Sequence, residues 1–189
     1  KSKLIKEIII AIPNTAENNK LESLLKNKYK VFRGSENNVL KRYFDCAKKY
    51  SVNNILRITS DCPLIDHRLI DKIGKIYLSE RYDYVSNIEK RTFPDGMDIE
   101  FFSFQTLKKA YTNSLSSYDK EHVTKYILRS DKFKKFNYID KTDYSRLRIT
   151  LDRIDDFNLI NRIFCNFKNN NFSYKDILNF YKKNKKYFN

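Results

Sequence analysis

Two aspartates each follow an apolar, strand-like run closely. Asp61 comes just after residues 54–59 (NILRIT), and Asp152 comes directly after residues 147–151 (LRITL). Ligands of open α/β sheets bind outside the carboxyl ends of the strands, so we expect both carboxylates at one sheet edge. Two carboxylates there suit Mg²⁺, which prefers oxygen ligands from carboxylates, water and substrate phosphates. Either aspartate taken alone is explained as readily by capping the turn or helix that follows it.

A second pair of acidic residues is Asp98 and Glu100. They lie in a predicted strand, residues 97–103 (MDIEFFS), and its period of two places both on one face. Two carboxylates side by side could bind sugar hydroxyls or assist the metal, and they could equally form the solvated face of an edge strand. Asp95 and Gly96 precede them with the composition of a turn.

Three further polar residues are candidates for binding a substrate. Arg57 lies within the NILRIT run, where it could reach a phosphate or pair with a carboxylate. Glu121 and His122 lie in the polar cluster of residues 118–124 (YDKEHVT), and contact with a ligand is expected for both. The spacing offers no third ligand near His122, which argues against a zinc site.

The elements that must position these residues alternate between strands and helices, which predicts an α/β fold with mostly parallel pairing in a three-layer α/β/α sandwich. We expect one domain spanning residues 1–189. The predicted strands are residues 7–12, 30–32, 54–59, 83–86, 97–103, 135–139 and 147–151, of which 7–12 (EIIIAI) reads as buried on both faces. The predicted helices are residues 16–28, 38–50, 67–80, 104–112, 117–129, 155–167 and a last one from Ser173.

Composition narrows the function classes. The formal net charge is +15 with a pI near 9.6, which would suit a polyanionic partner, but the basic residues are scattered. A nucleic-acid-binding role would rest on charge alone, since no motif interleaves basic and aromatic residues. Three cysteines without CxxC spacing fit a reducing cytoplasm, and no apolar run approaches the roughly 20 residues of a membrane helix.

The ordered series of motifs resembles the cytidylyltransferase family, in its branch named for spore-coat polysaccharide biosynthesis. The strongest matches are residues 31–43 (VFRGSENNVLKRY) and 57–66 (RITSDCPLID). The match continues in the same order through residues 84–87 (YVSN), 91–100 (RTFPDGMDIE), 121–124 (EHVT) and 147–152 (LRITLD). Each motif alone is weak, and the series covers nearly the whole chain.

This resemblance implies a Rossmann-like nucleotidyltransferase fold and a defined reaction. Members join a sugar, often an acidic one, to a cytidine nucleotide from CTP with loss of pyrophosphate, and relatives of this kind are often dimers. The family's metal-binding positions correspond to Asp61 in SDCPL and Asp152 in DRIDD, which implies a Mg²⁺ cofactor. This chain departs from the family at Ser60, where glycine is usual, and at Arg153 and Ile154, where Thr-Pro is usual.

The resemblance also implies a missing segment. Family members begin with a strand and a loop of the type A-R-x-G-S-x-R-L-P-x-K, whose backbone amides and basic side chains hold the triphosphate. No such loop occurs here, and EIIIAI matches the family's second strand, so a βα unit of about forty residues is expected to be absent. The alternatives to an active enzyme are a non-catalytic sugar- or partner-binding remnant and a related glycosyltransferase. For the latter, Asp61 lacks the neighbour that a D-x-D motif needs.

Overall fold

The structure, a computed structural model, describes residues 1–167 and 169–188. Lys168 and Asn189, which belong to the predicted single domain of residues 1–189, lie outside the described residues. Six strands are present in the described part: β1 Ile9–Pro13, β2 Lys30–Gly34, β3 Asn54–Arg57, β4 Tyr84–Ser86, β5 Glu100–Ser103 and β6 Lys135–Asn137. The α-helices there are α1 Asn19–Leu25, α2 Val39–Lys49, α3 His67–Ser79, α4 Phe104–Asn113, α5 Ser117–His122, α6 Lys125–Arg129, α7 Ile154–Asn166 and α8 Tyr174–Lys183.

The strands form two separate sheets. Strands β1 and β2 pair in parallel, and the other four follow the order β3-β5-β4-β6. Strand β5 runs antiparallel to both of its neighbours, whereas β6 is parallel to β4. The sequence indicated mostly parallel pairing. Strand β5 does not follow this prediction. Residues 87–99 connect β4 to β5 and contain no helix, whereas a parallel neighbour would need a crossover connection, usually a helix.

The helices begin where capping side chains satisfy the first free amides. Asp66, directly before α3, accepts a hydrogen bond from the Arg68 amide at 2.9 Å. Ser173 and Asp176 form a capping box at the start of α8, in which each side chain accepts a hydrogen bond from the other residue's backbone amide. Both helix starts are therefore confirmed.

Alternating residues of the larger sheet serve two cores. Val85 and Phe101 face one cluster, which is completed by apolar residues of α3, α7 and α8. Tyr84 and Phe102 face a second cluster, which contains residues of α2, α4 and α6. A sheet with helices on both faces is the predicted three-layer α/β/α arrangement.

Three predicted elements differ from the structure by more than their end positions. The strand expected over 97–103 begins only at Glu100, because residues 94–97 form a turn around Gly96 at φ +106°. The run 147–151 is extended but forms no regular strand, and its only ladder pairing is an isolated parallel bridge between Asp95 and Arg148. The helix expected over 117–129 is split into α5 and α6 by a turn at Val123.

Strand β1 is less covered than its sequence predicts. The EIIIAI run reads as a strand buried on both faces, yet Ile12 is the one fully buried residue of β1 and the preceding Ile8 is 56% exposed. This strand pairs only with β2 among the described residues, so its other edge carries no neighbour.

Among the described residues, no helix combines the length and the apolar composition that crossing a membrane requires.

Candidate active site

The loop after β3 places Asp61 at the carboxyl end of the larger sheet. The strand stops before Pro63, which has no amide to donate, and the chain turns through residues 59–65. Asp61 is partly exposed there, whereas the adjacent Cys62 is buried. Burial raises the pKa of the Cys62 thiol to about 11, so this cysteine stays neutral and serves packing.

The backbone of segment 147–152 forms hydrogen bonds with two loops of the site, the one that contains Asp95 and the one that contains Asp61. The Ile149 amide donates to the Asp95 carbonyl and the Asp95 amide donates to the Leu147 carbonyl, both at 2.8 Å. The Leu151 amide donates to the Asp61 carbonyl, also at 2.8 Å. Because Leu151 directly precedes Asp152, this bond brings the backbones of the two predicted metal ligands next to each other.

Gly96 permits this close contact between loops. Its φ of +106° is a conformation that L-residues rarely adopt, and a Cβ there would lie 2.9 Å from the carbonyl carbon and oxygen of Ile149. Any side chain at this position would push the 94–97 turn away from the 147–151 segment. The glycine is therefore required for the site's geometry.

Three carboxylates and two arginines share the centre of the site. Arg91 holds Asp98 by two hydrogen bonds of 2.5 and 2.8 Å and lies 3.2 Å from Asp95. Burial raises the pKa of Asp95, with the neighbouring carboxylates of Asp98 and Asp61 acting in the same direction and Arg91 and Arg148 opposing them. The carboxylates of Asp61 and Asp98 therefore lie near that of Asp95.

Asp152 lies at the rim of this group. Its side chain is 53% exposed, and its Oδ2 accepts from the Arg148 guanidinium at 2.5 Å and from the Thr150 hydroxyl at 3.2 Å. Its backbone amide donates to Asp156 at 2.8 Å, at the start of α7. Hydrogen bonds from Arg148 and from the backbone amides hold the pKa of Asp156 well below its usual range.

Arg57 and Glu100 form a buried ion pair between the adjacent strands β3 and β5. Glu100 is 1% exposed, and its second oxygen accepts from the Tyr84 hydroxyl at 2.6 Å. Burial opposes the charge on Arg57, but Glu100 raises the guanidinium pKa above its ordinary value. The Arg57 guanidinium also stacks over the Tyr43 ring of α2. Both partners are therefore engaged within the protein.

Glu121 and His122 end helix α5 in front of a strained turn. The Thr124 amide donates to the His122 carbonyl at 2.6 Å, which closes a three-residue γ-turn centred on Val123 at φ 60° and ψ −58°. A β-branched residue rarely adopts a positive φ, and such strain persists where the surrounding structure imposes it. Glu121 and His122 are exposed, and the His122 ring packs edge-on against Tyr118.

A shallow cleft of about 400 Å³ lies beside this turn. It is bounded by α5, α6 and the connection after β4. Its lining residues are Ile88, Glu89, Tyr118, Lys125, Leu128 and Arg129.

The structure thus divides the predicted site residues into three places. Asp61, Asp98 and Asp152 belong to the site at the end of the larger sheet, whereas Arg57 and Glu100 form the buried pair described above. Glu121 and His122 lie on α5. Sequence reasoning missed the two arginines that hold the carboxylates, although each stands four residues before an aspartate: Arg91 before Asp95 and Arg148 before Asp152.

The donor set fits Mg²⁺ shared with a substrate. In the described part of the chain, no group of three or more His, Cys, Asp or Glu side chains is arranged to hold a metal ion by itself. Asp61 and Asp152 offer hard oxygen donors that are accessible to solvent. Mg²⁺ is commonly bound by one or two carboxylates plus substrate phosphates and water, and Asp61 and Asp152 would supply that number of carboxylates.

Comparison with known proteins supports one family. The family model described as cytidylyltransferase matches residues 1–188. The chain is 36% identical to the uncharacterized protein MJ1063 of Methanocaldococcus jannaschii over 188 residues, which are 97% of this chain and 76% of that protein. It is 25% identical to the spore coat polysaccharide biosynthesis protein SpsF of Bacillus subtilis over 162 residues, covering 83% of this chain and 66% of SpsF.

A solved structure agrees with these matches. A cytidylyltransferase from Leptospira borgpetersenii serovar Hardjo-bovis superposes with a TM-score of 0.93 at 34% identity, covering 99% of this chain and 80% of that one. The predicted Rossmann-like nucleotidyltransferase fold is confirmed by this match. Because the family model spans almost every residue, the chain belongs to the cytidylyltransferase family.

Proposed function

We propose that this site transfers a cytidylyl group from CTP to an acidic sugar, with loss of pyrophosphate, for the synthesis of a cell-surface polysaccharide. The observation that carries the proposal is the bond between the Leu151 amide and the Asp61 carbonyl, which makes Asp61 a neighbour of Asp152. Family membership supports nucleotide binding. The kinship with SpsF of Bacillus subtilis supports the role in polysaccharide synthesis.

In this proposal Asp61 and Asp152 hold Mg²⁺. The bound ion would supply a positive charge that offsets the charge developing on the phosphate oxygens. Asp152 is suited to the task because Arg148 and Thr150 bond its Oδ2, while its Oδ1 accepts no hydrogen bond from the described residues. Arg148 also fixes the orientation of this carboxylate. Such positioning and charge neutralisation dominate phosphoryl-type transfer, which needs little covalent help.

Four other predicted residues are assigned by location. Glu121 and His122, exposed beside the cleft, are proposed to contact the sugar. Lys125 lines the same cleft together with Glu89 and lies over the Tyr118 ring, and we take its positive charge as support for an acidic substrate. We assign Arg57 and Glu100 to positioning, because burial and mutual pairing remove both from direct contact.

The activity is tested by pyrophosphate release from CTP with a panel of acidic sugars in the presence of Mg²⁺. We expect Asp61→Asn and Asp152→Asn each to lower turnover at least 100-fold, with unchanged circular dichroism, because each removes a metal ligand. Asp155→Asn, an exposed neighbour at the start of α7, is the matched control and should retain activity. Full activity in either metal-site variant would refute the assignment.

A second candidate function is a sugar-binding remnant without catalysis. This alternative is favoured by the small number of glycines, because a phosphate-binding loop needs them and the chain has only Gly34, Gly74 and Gly96. Each of these three is closely packed, since a Cβ added to it would lie within 3.0 Å of a neighbouring atom. Gly34 ends β2, Gly74 lies within α3 and Gly96 packs against Ile149, so none of them belongs to a glycine-rich loop. Saturable binding of the sugar without pyrophosphate release under any condition would favour the remnant over the enzyme.

A further inference from the structure

The turn at Val123 is imposed by the structure around it. Val123 is fully buried and belongs to the same apolar cluster as Tyr84 and Phe102 of the larger sheet. Across the turn, Arg129 of α6 donates two hydrogen bonds to the buried carboxylate of Asp119 on α5. Backbone strain persists only where its surroundings fix it, and it is concentrated at functional sites. These contacts therefore hold the exposed end of α5 in one orientation.

Thr124, directly after the turn, connects it to the sheet. Burial and the Glu100 carboxylate raise the pKa of Tyr84 well above its ordinary value, and the Thr124 hydroxyl opposes that rise, so it lies near the Tyr84 hydroxyl. The Tyr84 hydroxyl donates to Glu100 at 2.6 Å, and Glu100 pairs with Arg57. A phenol can donate one hydrogen bond and accept another, so Tyr84 can join Thr124 to Glu100. Four polar side chains thus form a continuous series from the turn to β3.

This series reaches both parts of the proposed site. At one end, Arg57 lies four residues before Asp61, and Glu100 lies two residues after Asp98. At the other end, Thr124 directly follows the turn after α5, the helix that carries the two residues proposed to contact the sugar. The connection therefore runs from the carboxylates at the end of the larger sheet to the cleft beside α5.

We propose that Tyr84 is a positioning residue, which fixes the cleft relative to the carboxylates through its contacts with Glu100 and Thr124. This inference rests on the proposed function. In that reaction, a sugar oxygen bonds to the α-phosphorus of CTP, the bond from this phosphorus to the pyrophosphate oxygen breaks, and the hydroxyl proton passes to water. The two substrates would lie at opposite ends of the series, so the series would set the distance between the reacting atoms. A misplacement of about 1 Å can lower a rate by about 100-fold.

Hydrogen–deuterium exchange of this chain tests the connection without relying on catalysis. Tyr84→Phe removes only the hydroxyl. We expect exchange to become at least tenfold faster at three amides that donate to carbonyls of α5 or of the turn, those of Val123, Thr124 and Leu128. This factor corresponds to the loss of a hydrogen bond to a charged group. Amides of α8, which packs in the other core cluster, should exchange as in the wild type.

Tyr82→Phe is the matched control, because the Tyr82 hydroxyl donates to Glu80 at the surface. It should leave exchange at all three amides unchanged. Exchange that is as slow in Tyr84→Phe as in the wild type would overturn the proposal. An acceleration by the same factor in α8 would also overturn it, since Tyr84 would then support the fold as a whole.

The kinetics of pyrophosphate release distinguish positioning from binding. Tyr84→Phe and Thr124→Val should each lower kcat at least tenfold and leave the KM for CTP and for the sugar within about twofold of the wild type. Thr124→Ser, which keeps the hydroxyl, should restore kcat. A raised KM with unchanged kcat would contradict the positioning role. If the wild type releases no pyrophosphate, the proposed function is refuted, and the exchange measurement still decides whether Tyr84 holds the turn.

Discussion

The buried pair of Glu100 and Arg57 gives the sharpest quantitative prediction. Glu100→Gln keeps the shape of the side chain but leaves the Arg57 guanidinium, 17% exposed, without its counter-charge. Removing one partner of a buried ion pair costs about 3–5 kcal/mol. We take about 3 kcal/mol because the amide oxygen can still accept from Arg57 or Tyr84. With a urea m-value of about 2 kcal/mol/M, the unfolding midpoint should fall by about 1.5 M.

A double-mutant cycle isolates the pair from other effects. Glu100→Gln, Arg57→Met and the double variant should show a coupling free energy of about 2 kcal/mol, measured by urea unfolding. Glu121→Gln, an exposed glutamate, serves as the control and should shift stability by less than about 0.5 kcal/mol. If the destabilisation of the double variant equals the sum of the two single-variant destabilisations to within about 0.5 kcal/mol, the positioning role assigned to Glu100 is refuted.

Three further predictions concern the backbone around the site. Asp156→Asn should lower the free energy of unfolding by about 1 kcal/mol. The folded-state pKa of Asp156 is lowered, so the stability that this carboxylate contributes is lost as the pH falls, and the variant should lose less stability below pH 4 than the wild type. Asp155→Asn is the control and should show the same dependence of unfolding on acid pH as the wild type. Val123→Gly should be at least as stable as Val123→Ala in thermal melts, the reverse of the usual order, because only glycine relieves the positive φ. Gly96→Ala should lower the free energy of unfolding by about 2 kcal/mol, since its Cβ would meet the backbone of Ile149. A melt of that variant matching wild type would contradict the close contact.

Local signals were sufficient for the elements that the sequence predicted well. Asp66 and the Ser173–Asp176 pair start helices because side-chain oxygens next to free amides act within a few residues. The two faces of the larger sheet follow from alternation, in which Val85 and Phe101 face one core and Tyr84 and Phe102 the other. The motif series gave the family, which the match over residues 1–188 confirms.

Long-range pairing explains what the sequence did not predict. The alternating pattern placed Asp98 and Glu100 on one face of a strand. In the structure, Asp98 precedes β5 and accepts hydrogen bonds from Arg91. Glu100 pairs instead with Arg57, which is 43 residues away in the sequence. The turn at Val123 has no local signal, because valine is among the residues least suited to a positive φ. Strand β1 pairs with β2 alone among the described residues and is therefore only partly buried, and the composition of β1 gives no sign of that.

Mn²⁺ titration in the presence of CTP tests the central claim, a metal site on Asp61 and Asp152, most directly. Electron paramagnetic resonance of free Mn²⁺, measured with this 189-residue chain, reports the number and affinity of bound ions. We predict one CTP-dependent site whose affinity falls at least tenfold in both Asp61→Asn and Asp152→Asn and stays unchanged in Asp155→Asn. Equal Mn²⁺ affinity in wild type and in either metal-site variant would contradict the assignment.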